Sequence, residues 1–294
     1  MGYRIGFDIG STTIKAVVLD ENNQICYKSY ERHKAQVRQK ALDKLVELKK
    51  YTKEPFKFAI SGSGALGLSE QGELPFVQEV FASATGVSKL YPETDCAIEL
   101  GGEDAKILFF QGSVEQRMNS TCAGGTGAFI DQMATLLNMS LEEMNEASLN
   151  YHRLYPIASR CGVFAKTDIQ PLINQGVDKC DLCASIFQAV VDQTITSLAQ
   201  GRKIEGNILF LGGPLYFMSG LRNRFVETLK LSDAQVNCPD TAINFVALGT
   251  AICADQEYTY DELYKALEDL VHAPAKLTES KPLFESEEDY QKIY

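Results

Sequence analysis

The chain contains the same short hairpin pattern twice, and this repeat is the strongest constraint on its fold. Residues 8–19 read D-I-G-S-T-T-I-K-A-V-V-L and residues 99–110 read E-L-G-G-E-D-A-K-I-L-F-F, which align without a gap. Each copy places an acid, an aliphatic residue, a glycine and a lysine at matching positions before an apolar strand. Such a repeat predicts two related lobes, although short apolar strands can also resemble one another by coincidence.

The sequence around the first copy predicts a mixed α/β lobe. Residues 4–9 and 14–19 are apolar runs on either side of a turn, and a third run begins at residue 24, as in a meander of antiparallel strands. Residues 34–51 carry apolar side chains at helical spacing, with a charged opposite face. Residues 56–60 are expected to form a buried strand.

The rest of the chain predicts a second lobe that is richer in helices. Residues 140–143 form a capping box, and residues 181–200 form a long amphipathic helix. Residues 207–211 are expected to form a strand, and Asp240 is expected to cap a last core helix at residues 244–254.

A chain of 294 residues is longer than one small core usually supports, so two lobes are expected on length as well. We predict an N-terminal nucleotide-binding lobe at residues 1–94 and a C-terminal nucleotide-binding lobe at residues 95–272. The acidic residues 273–294 are expected to form a tail or linker.

The charge balance excludes two classes of partner. The net charge of −11 argues against nucleic acid and against an anionic membrane surface, because either would require a basic face. No apolar run approaches the roughly 18 residues of a membrane span. We therefore expect a cytoplasmic protein whose eight cysteines are reduced.

Two acid-bearing glycine turns that face each other predict a nucleotide site. Backbone N–H groups and hydroxyls bind phosphate oxygens, and carboxylates hold Mg²⁺, usually through water. The acids expected to organise Mg²⁺ and the hydrolytic attack are Asp8, Glu99 and Asp104. The groups expected to bind phosphates or offset their charge are Gly10, Ser11, Thr12, Thr13, Lys15, Gly101, Gly102 and Lys106. The residues expected to lie along the adenosine are Gly212, Gly213 and Pro214. The alternative is a pair of purely structural hairpins.

A cysteine stands at the predicted start of a helix in the second lobe. Cys122 precedes the run Ala123 to Gly127, and an apolar-periodic segment follows from Ala128 to Leu137. A thiol there is expected to lie among unpaired backbone N–H groups at the positive end of a helix, which favours a thiolate and an anionic cofactor. The alternative is a glycine-rich turn with a small buried residue.

Several of these motifs together resemble a known superfamily. D-I-G-S-T-T at 8–13, E-L-G-G-E-D at 99–104 and L-G-G-P at 211–214 are similar to the two phosphate motifs and the adenosine motif of the acetate kinase, sugar kinase, Hsp70 and actin superfamily. Within it, C-A-G-G-T-G at 122–127 and S-R-C-G-V-F-A at 159–165 resemble the ATP-dependent activators (reductases) of 2-hydroxyacyl-CoA dehydratases, the BadF/BadG/BcrA/BcrD-type ATPases. The resemblance runs from about residue 3 to residue 254. It implies an α/β fold of two duplicated actin- or Hsp70-like (ribonuclease H-like) lobes with a nucleotide cleft between them.

The resemblance also implies a redox function. It implies ATP or ADP with Mg²⁺, and a [4Fe–4S] cluster held by Cys122 and Cys161 of each of two subunits, next to Gly124, Gly125 and Thr126. Two cysteines per chain are half of the usual four thiolates, so the implied assembly is a homodimer with the cluster on its axis. The implied partners are a ferredoxin- or flavodoxin-like electron donor and, as acceptor, a 2-hydroxyacyl-CoA dehydratase or a related double-cluster reductase.

The second phosphate motif departs from the usual Asp-Ile-Gly-Gly-Gln-Asp of the short activators. Glu99 and Glu103 replace its first acid and its glutamine, which looks more like the activator module of longer fused proteins. Two other functions remain open: a sugar or small-acid kinase of the same superfamily, and a metal-free ATP-driven conformational switch. We find no stretch of sequence that indicates the pocket for an acceptor hydroxyl or the general base that a kinase requires.

Overall fold

The computed structural model describes residues 2–119, 124–157 and 162–274. Its strands are β1 (Arg4–Ile9), β2 (Thr13–Leu19), β3 (Ile25–Arg32), β4 (Phe56–Ser61), β5 (Cys96–Leu100), β6 (Ala105–Phe109), β7 (Glu115–Met118), β8 (Ile208–Leu211), β9 (Val236–Asn237) and β10 (Glu257–Tyr258). Its helices are α1 (Val37–Glu47), α2 (Leu66–Gly72), α3 (Glu79–Leu90), α4 (Gly127–Leu137), α5 (Leu141–Ser148), α6 (Gly162–Asn174), α7 (Lys179–Thr194), α8 (Gly213–Phe217), α9 (Ser219–Leu229), α10 (Phe245–Cys253) and α11 (Tyr260–His272).

The two copies of the repeat fold as equivalent hairpins, which we name hairpin 1 (residues 8–15) and hairpin 2 (residues 99–106). Asp8 pairs with Lys15 across β1 and β2, and Glu99 pairs with Lys106 across β5 and β6. The matching acid and lysine therefore occupy the same register in both lobes, and the duplication predicted from the sequence is confirmed.

The surrounding sheets extend the equivalence. The first sheet has the strand order β10-β4-β1-β2-β3, and the second has the order β9-β8-β5-β6-β7. In the first sheet β1 is antiparallel to β2 on one side and parallel to β4 on the other. In the second sheet β5 is antiparallel to β6 and parallel to β8 in the same way. The predicted two-lobed α/β fold is confirmed.

Two helices pack against each other between the sheets. A Cβ atom added to Gly249 of α10 would lie 2.0 Å from the carbonyl oxygen of Ala82 on α3, so the two helices touch backbone to backbone. Buried residues of both helices share one apolar cluster with Val17 of the first sheet and Leu108 of the second. Each lobe also has an apolar core of its own. The cluster around α3 and α10 joins the two lobes, and the hairpins lie at the edge of the gap between them.

After the second sheet, the chain returns to the first. Strand β10 pairs with β4, and Leu263, Leu267 and Leu270 of α11 are buried in the core of the first lobe. From the sequence we assigned residues 95–272 to the second lobe and expected the helix at residues 244–254 to be the last core element. We therefore propose a discontinuous first lobe, made of residues 2–94 together with 257–272.

Several local predictions hold with adjusted bounds, and one is wrong. The capping box at Ser140 and Glu143 is present, and the long helix begins at Lys179 with Asp178 as its cap. Asp240 does not cap α10, because the N-cap position is Asn244, whose side chain makes no capping bond. The carbonyl oxygen of Asp240 instead accepts a hydrogen bond from Lys28 Nζ at 3.0 Å.

One helical stretch in the described part of the chain, Lys179–Ala199, is long and apolar enough to cross a membrane by composition. The most apolar 18 residues of this stretch have a mean hydropathy of 1.2, and 67% of them are buried inside the protein. Burial of this kind is what the core helix of a folded domain shows.

Candidate nucleotide site and cysteine motif

The turns of the two hairpins lie next to each other in the gap between the lobes. A Cβ atom added to Gly102 would lie 3.1 Å from Thr12 Oγ1 and 3.8 Å from Ser11 Oγ. The hydroxyl groups of hairpin 1 therefore face the glycine turn of hairpin 2. Within each turn the same backbone bond closes the loop: Gly10 N–H donates to the carbonyl of Thr13 at 2.9 Å, and Gly101 N–H donates to that of Asp104 at 2.8 Å.

A glycine follows the parallel strand of each lobe and packs onto the hairpin. Gly62 follows β4 with φ +99°, and Gly212 follows β8 with φ +88°. A Cβ atom would lie 2.2 Å from the carbonyl oxygen of Ile9 in the first case and 2.0 Å from that of Leu100 in the second. Only glycine fits such an approach, so at equivalent places in the two lobes the loop after the parallel strand lies directly against the hairpin.

At hairpin 1 an acid and a lysine form an ion pair. Asp8 is buried, and its Oδ2 lies 2.7 Å from Lys15 Nζ. Burial lowers the pKa of Lys15, but the charge of Asp8 and the hydrogen bond to it outweigh this effect, so the pKa lies above its ordinary value. The lysine is therefore charged, and one acid already partners it.

In the second lobe one buried lysine has three acidic partners. Lys106 Nζ lies 2.5 Å from Glu79 Oε2, 2.6 Å from Asp104 Oδ2 and 3.5 Å from Glu99 Oε1. Burial lowers the pKa of Lys106, and the three carboxylates together raise it well above its ordinary value. The acids expected to organise Mg²⁺ here thus surround an ammonium group.

Burial dominates the behaviour of Glu99. Its pKa is raised by desolvation, lowered by the charge of Lys106 and raised again by the nearby acids Asp104 and Glu79. Ser83 Oγ donates a hydrogen bond to Glu99 Oε2 at 3.1 Å. The net direction is upward, so this carboxylate holds a proton more readily than an exposed glutamate does.

Sequence reasoning missed Glu79 and Ser83, which lie one helical turn apart on α3. Besides contacting Lys106, Glu79 accepts a hydrogen bond at Oε1 from the backbone N–H of Ser63 at 3.1 Å. Glu79 therefore bridges the loop after β4 in the first lobe and the lysine of hairpin 2 in the second. The only sequence signal was an acid and a serine four residues apart on one helical face, which is common on helices.

The two candidate cluster ligands, Cys122 and Cys161, lie outside the described residues. Within the described residues, no group of three or more His, Cys, Asp or Glu side chains could hold a metal ion. The residues that flank the two cysteines do have defined positions. Gly125 has φ +82° and packs on Gln193 of α7, and Gly162, at the start of α6, packs against Gln132 of α4.

The start of α4 is hydrogen-bonded to hairpin 2. Gly127 N–H donates to the carbonyl of Gly101 at 3.0 Å, and Ala128 N–H donates to that of Gly102 at 2.7 Å. The expectation that the N–H groups at this helix start are unpaired is therefore wrong for these two. They connect the glycine turn of the nucleotide site directly to the helix that follows the cysteine motif.

The expected adenosine residues meet the same junction. A Cβ atom on Gly127 would lie 3.2 Å from the carbonyl oxygen of Gly101 and 3.3 Å from Pro214 Cγ. Gly213, the first residue of α8, lies near the hydroxyl of Tyr30, which belongs to the first lobe. Hairpin 2, the Gly-Gly-Pro turn and the start of α4 therefore converge at one place.

Comparison with known proteins agrees with this geometry. The sequence matches the model of the BadF/BadG/BcrA/BcrD ATPase family over residues 5–254. The 2-hydroxyisocaproyl-CoA dehydratase activator of Clostridioides difficile is 27% identical over 266 residues, covering 88% of this chain and 96% of the relative.

Two solved structures are similar in fold and sequence. Component A of the (R)-2-hydroxyglutaryl-CoA dehydratase of Acidaminococcus fermentans has a TM-score of 0.76 at 25% identity, covering 91% of this chain and all of that one. The activator of the 2-hydroxyisocaproyl-CoA dehydratase from Clostridium difficile with bound ADPNP has a TM-score of 0.74 at 26% identity, covering 92% and 98%. The resemblance drawn from the motifs is confirmed, and the chain belongs to the BadF/BadG/BcrA/BcrD ATPase family.

Proposed function

We propose that this protein hydrolyses ATP and donates low-potential electrons, through an iron–sulfur cluster, to a 2-hydroxyacyl-CoA dehydratase or a related double-cluster reductase, which it thereby activates. The observation that carries the proposal is the pair of hydrogen bonds from Gly127 and Ala128 to the carbonyls of hairpin 2. These bonds join the phosphate-binding turn to the helix that follows Cys122.

The nucleotide binds between the two hairpins. The backbone and hydroxyl groups of residues 10–13 and the turn of Gly101 and Gly102 bind its phosphates, and Lys15 and Lys106 offset their charge. Asp8, Glu99 and Asp104 would act on Mg²⁺ through its bound water and would orient the water that attacks the terminal phosphate. The similar fold of an activator solved with bound ADPNP supports nucleotide binding by this chain. Binding requires Asp8 and the acids around Lys106 to share their lysine contacts with the incoming ion and phosphates.

The cluster is held by Cys122 and Cys161 from each of two copies of the chain. The described flanks fit such a site, because Gly124 to Gly127 lead into α4 and Gly162 begins α6, which packs beside it. The start of α6 faces Gln132 in the middle of α4, and the positive end of the α6 dipole favours an anionic group there. When bound, a [4Fe–4S] cluster carries one electron at a potential set by its surroundings.

Nucleotide state and cluster environment are coupled through the helix start. A shift of hairpin 2 on ATP binding or hydrolysis moves Gly101 and Gly102, and the two hydrogen bonds transfer that shift to α4. Glu79 links the same lysine to the first lobe, so closure of the cleft and movement of hairpin 2 are connected. ATP drives this change only if it binds one arrangement more tightly than the other.

The partners follow from the relatives. Relatives are named as activators of 2-hydroxyisocaproyl-CoA and (R)-2-hydroxyglutaryl-CoA dehydratases, which supports a 2-hydroxyacyl-CoA dehydratase as the electron acceptor. A ferredoxin- or flavodoxin-like protein supplies the electrons. The active species is a homodimer joined through the cluster.

Anaerobic reconstitution with iron and sulfide tests the proposal. Wild-type protein is expected to become a brown dimer with about four iron atoms per pair of chains, the number that four thiolates bind. Cys122→Ser and Cys161→Ser are each expected to lose the iron and the visible absorbance. Cys26→Ser, at an exposed thiol of β3, serves as the matched control and is expected to keep both. A colourless wild-type protein that phosphorylates a sugar, or that only hydrolyses ATP, would contradict the redox function.

A further inference from the structure

A buried histidine lies directly beneath the turn of hairpin 1. His33 follows the last residue of β3 and is 4% exposed. Its backbone N–H donates to the carbonyl of Thr12 at 3.2 Å, and its ring nitrogen Nε2 lies 3.0 Å from the carbonyl oxygen of Gly10. His33 therefore contacts the phosphate-binding turn through two of its backbone carbonyls, those of Gly10 and Thr12.

The tautomer of this histidine follows from its two contacts. The backbone N–H of Ala35 donates to His33 Nδ1 at 3.2 Å, so Nδ1 is the unprotonated acceptor of the neutral ring. The proton is then on Nε2, and Nε2–H donates to Gly10. Both ring nitrogens are used in one defined arrangement.

The backbone after His33 is strained in a way that produces this arrangement. Lys34 has φ +50° and Ala35 has φ +62°, two successive residues with side chains in the left-handed region. That region is unfavourable for any residue with a Cβ atom and persists only where surrounding bonds enforce it. The bond from Gln36 N–H to the carbonyl of His33, at 2.8 Å, closes the turn.

The second lobe holds the equivalent carbonyl by different means. Gly10 and Gly101 match in the repeat, and their carbonyls accept hydrogen bonds from His33 Nε2 and from the N–H of Gly127, respectively. The same atom of each hairpin thus has a donor beneath it. In the first lobe that donor is the ring of His33, which belongs to a turn closed by local hydrogen bonds, and in the second lobe it is the first backbone N–H of α4.

We propose that His33 is a positioning residue for the phosphates of ATP. Through Gly10 it fixes the orientation of residues 10–13, so that the N–H groups and hydroxyls of the turn are directed toward the nucleotide before it binds. His33 does not touch the nucleotide itself. This inference rests on the proposed ATP hydrolysis and deepens it, since it identifies the residue that holds the turn of residues 10–13 in place.

Two substitutions separate the two contacts of the ring. Asparagine places an oxygen where Nδ1 stands, so His33→Asn keeps an acceptor for Ala35 and loses the donor to Gly10. Glutamine places an NH₂ group where Nε2 stands, so His33→Gln keeps the donor. His152→Asn, an exchange at an exposed histidine outside the site, is the matched control.

The test is the ATP dependence of hydrolysis by the reconstituted protein. His33→Asn is expected to raise KM for ATP about fivefold, the factor of one net hydrogen bond, with kcat changed less than about twofold. His33→Gln and His152→Asn are expected to stay within about twofold of wild type in both constants.

Normal wild-type hydrolysis with an unchanged KM in His33→Asn overturns the positioning role alone. So does a His33→Asn protein whose melting temperature falls while KM does not, because that result describes a structural contact only. If His33→Asn does not fold, a folded His33→Gln with a KM raised as much as fivefold overturns the role. Wild-type protein that neither binds nor hydrolyses ATP overturns the proposed function, and the role of His33 with it.

Discussion

The two hairpins share a sequence pattern and a register, yet different elements hold them in place. The carbonyl of Gly10 is held by His33, whose own turn is closed by local hydrogen bonds. The carbonyls of Gly101 and Gly102 are held by the first residues of α4, a helix that leads away from the cysteine motif. The comparison teaches that two copies of a duplicated hairpin can keep the same turn while different elements support it, here a histidine side chain in one lobe and the start of a helix in the other.

The charged groups around the two hairpins also differ. Hairpin 1 carries one lysine–carboxylate pair, whereas the lysine of hairpin 2 is surrounded by three carboxylates, one of them from α3. The second lobe therefore stores more like-charge repulsion around its lysine. Removal of a lysine is expected to have unequal consequences in the two lobes.

The largest expected effect comes from Lys106→Met. This change leaves three clustered acids without their counter-charge, and we expect a loss of about 4 kcal/mol in the free energy of unfolding, the scale of breaking a buried ion pair. Lys15→Met leaves one acid unpaired and is expected to cost about half as much. Denaturant unfolding of both variants at neutral pH measures the difference. Equal losses would show that the extra acids of the second lobe do not matter.

A smaller effect is expected where hairpin 2 meets α4. Thr126 has an extended backbone, and proline is tolerated at the first position of a helix, so α4 is expected to persist in Gly127→Pro. The exchange removes the N–H donor and directs the ring Cδ at the Gly101 oxygen, which separates hairpin 2 from α4. We expect about a tenfold drop in electrons delivered per ATP hydrolysed, equivalent to roughly 1.4 kcal/mol of lost coupling. Acceptor reduction and phosphate release, measured together, give this ratio.

The control for that exchange is Gly127→Ala, which adds a Cβ atom but keeps the N–H donor. A Cβ atom there would lie 3.2 Å from the Gly101 oxygen, so a displacement of a few tenths of an ångström accommodates it. We expect its coupling ratio to stay near that of wild type. If alanine and proline lower the ratio equally, crowding and not the hydrogen bond is responsible, and the transmitting role assigned to the second lobe is wrong.

The smallest expected effect concerns Glu99 and pH. Because burial raises its pKa above the ordinary value of 4.5, the folded protein binds this proton more tightly than the unfolded chain does. The ionised carboxylate therefore destabilises the fold at neutral pH, and this penalty fades as pH falls through the raised folded pKa toward 4.5. Glu99→Gln, which cannot ionise, is therefore expected to be more stable than wild type at pH 7.

The difference between Glu99→Gln and wild type, followed from pH 7 to pH 4 by chemical unfolding, checks the sign. It should shrink on acidification, because the wild-type carboxylate then becomes neutral as well. A difference that grows on acidification would mean that the pairing with Lys106 outweighs desolvation. Hydrolysis by this variant is expected to fall at all pH values, since Glu99 belongs to the proposed Mg²⁺ set.

Much of the site was predictable because its pattern is local. The acid, the glycine turn and the lysine of each hairpin lie within eight residues, and strand alternation fixes which of them face one another. The positions of Glu79 and His33 were not predictable in this way. Glu79 reaches Lys106 across 27 residues and His33 reaches Gly10 across 23, and neither contact leaves a periodic signal in the sequence.

The return of the chain to the first lobe was missed for a related reason. Helix α11 is clearly amphipathic, with a capping box at Thr259 and Glu262, but a sequence pattern does not state which core an apolar face will join. In the structure that face covers the first lobe, next to α1. The apolar surface of the first lobe that α11 covers exists only once the first sheet and α1 are assembled.

The sequence by itself determined the two hairpins, their glycine turns and the family, because turn geometry, strand period and motif spacing are set by neighbouring residues. Only the tertiary structure decided what lies behind each hairpin: a histidine held by a strained turn in one lobe, and the start of a helix in the other. The physical reason is that a backbone carbonyl accepts a hydrogen bond from whichever donor folding brings to it. That choice is made by packing between segments distant in the chain.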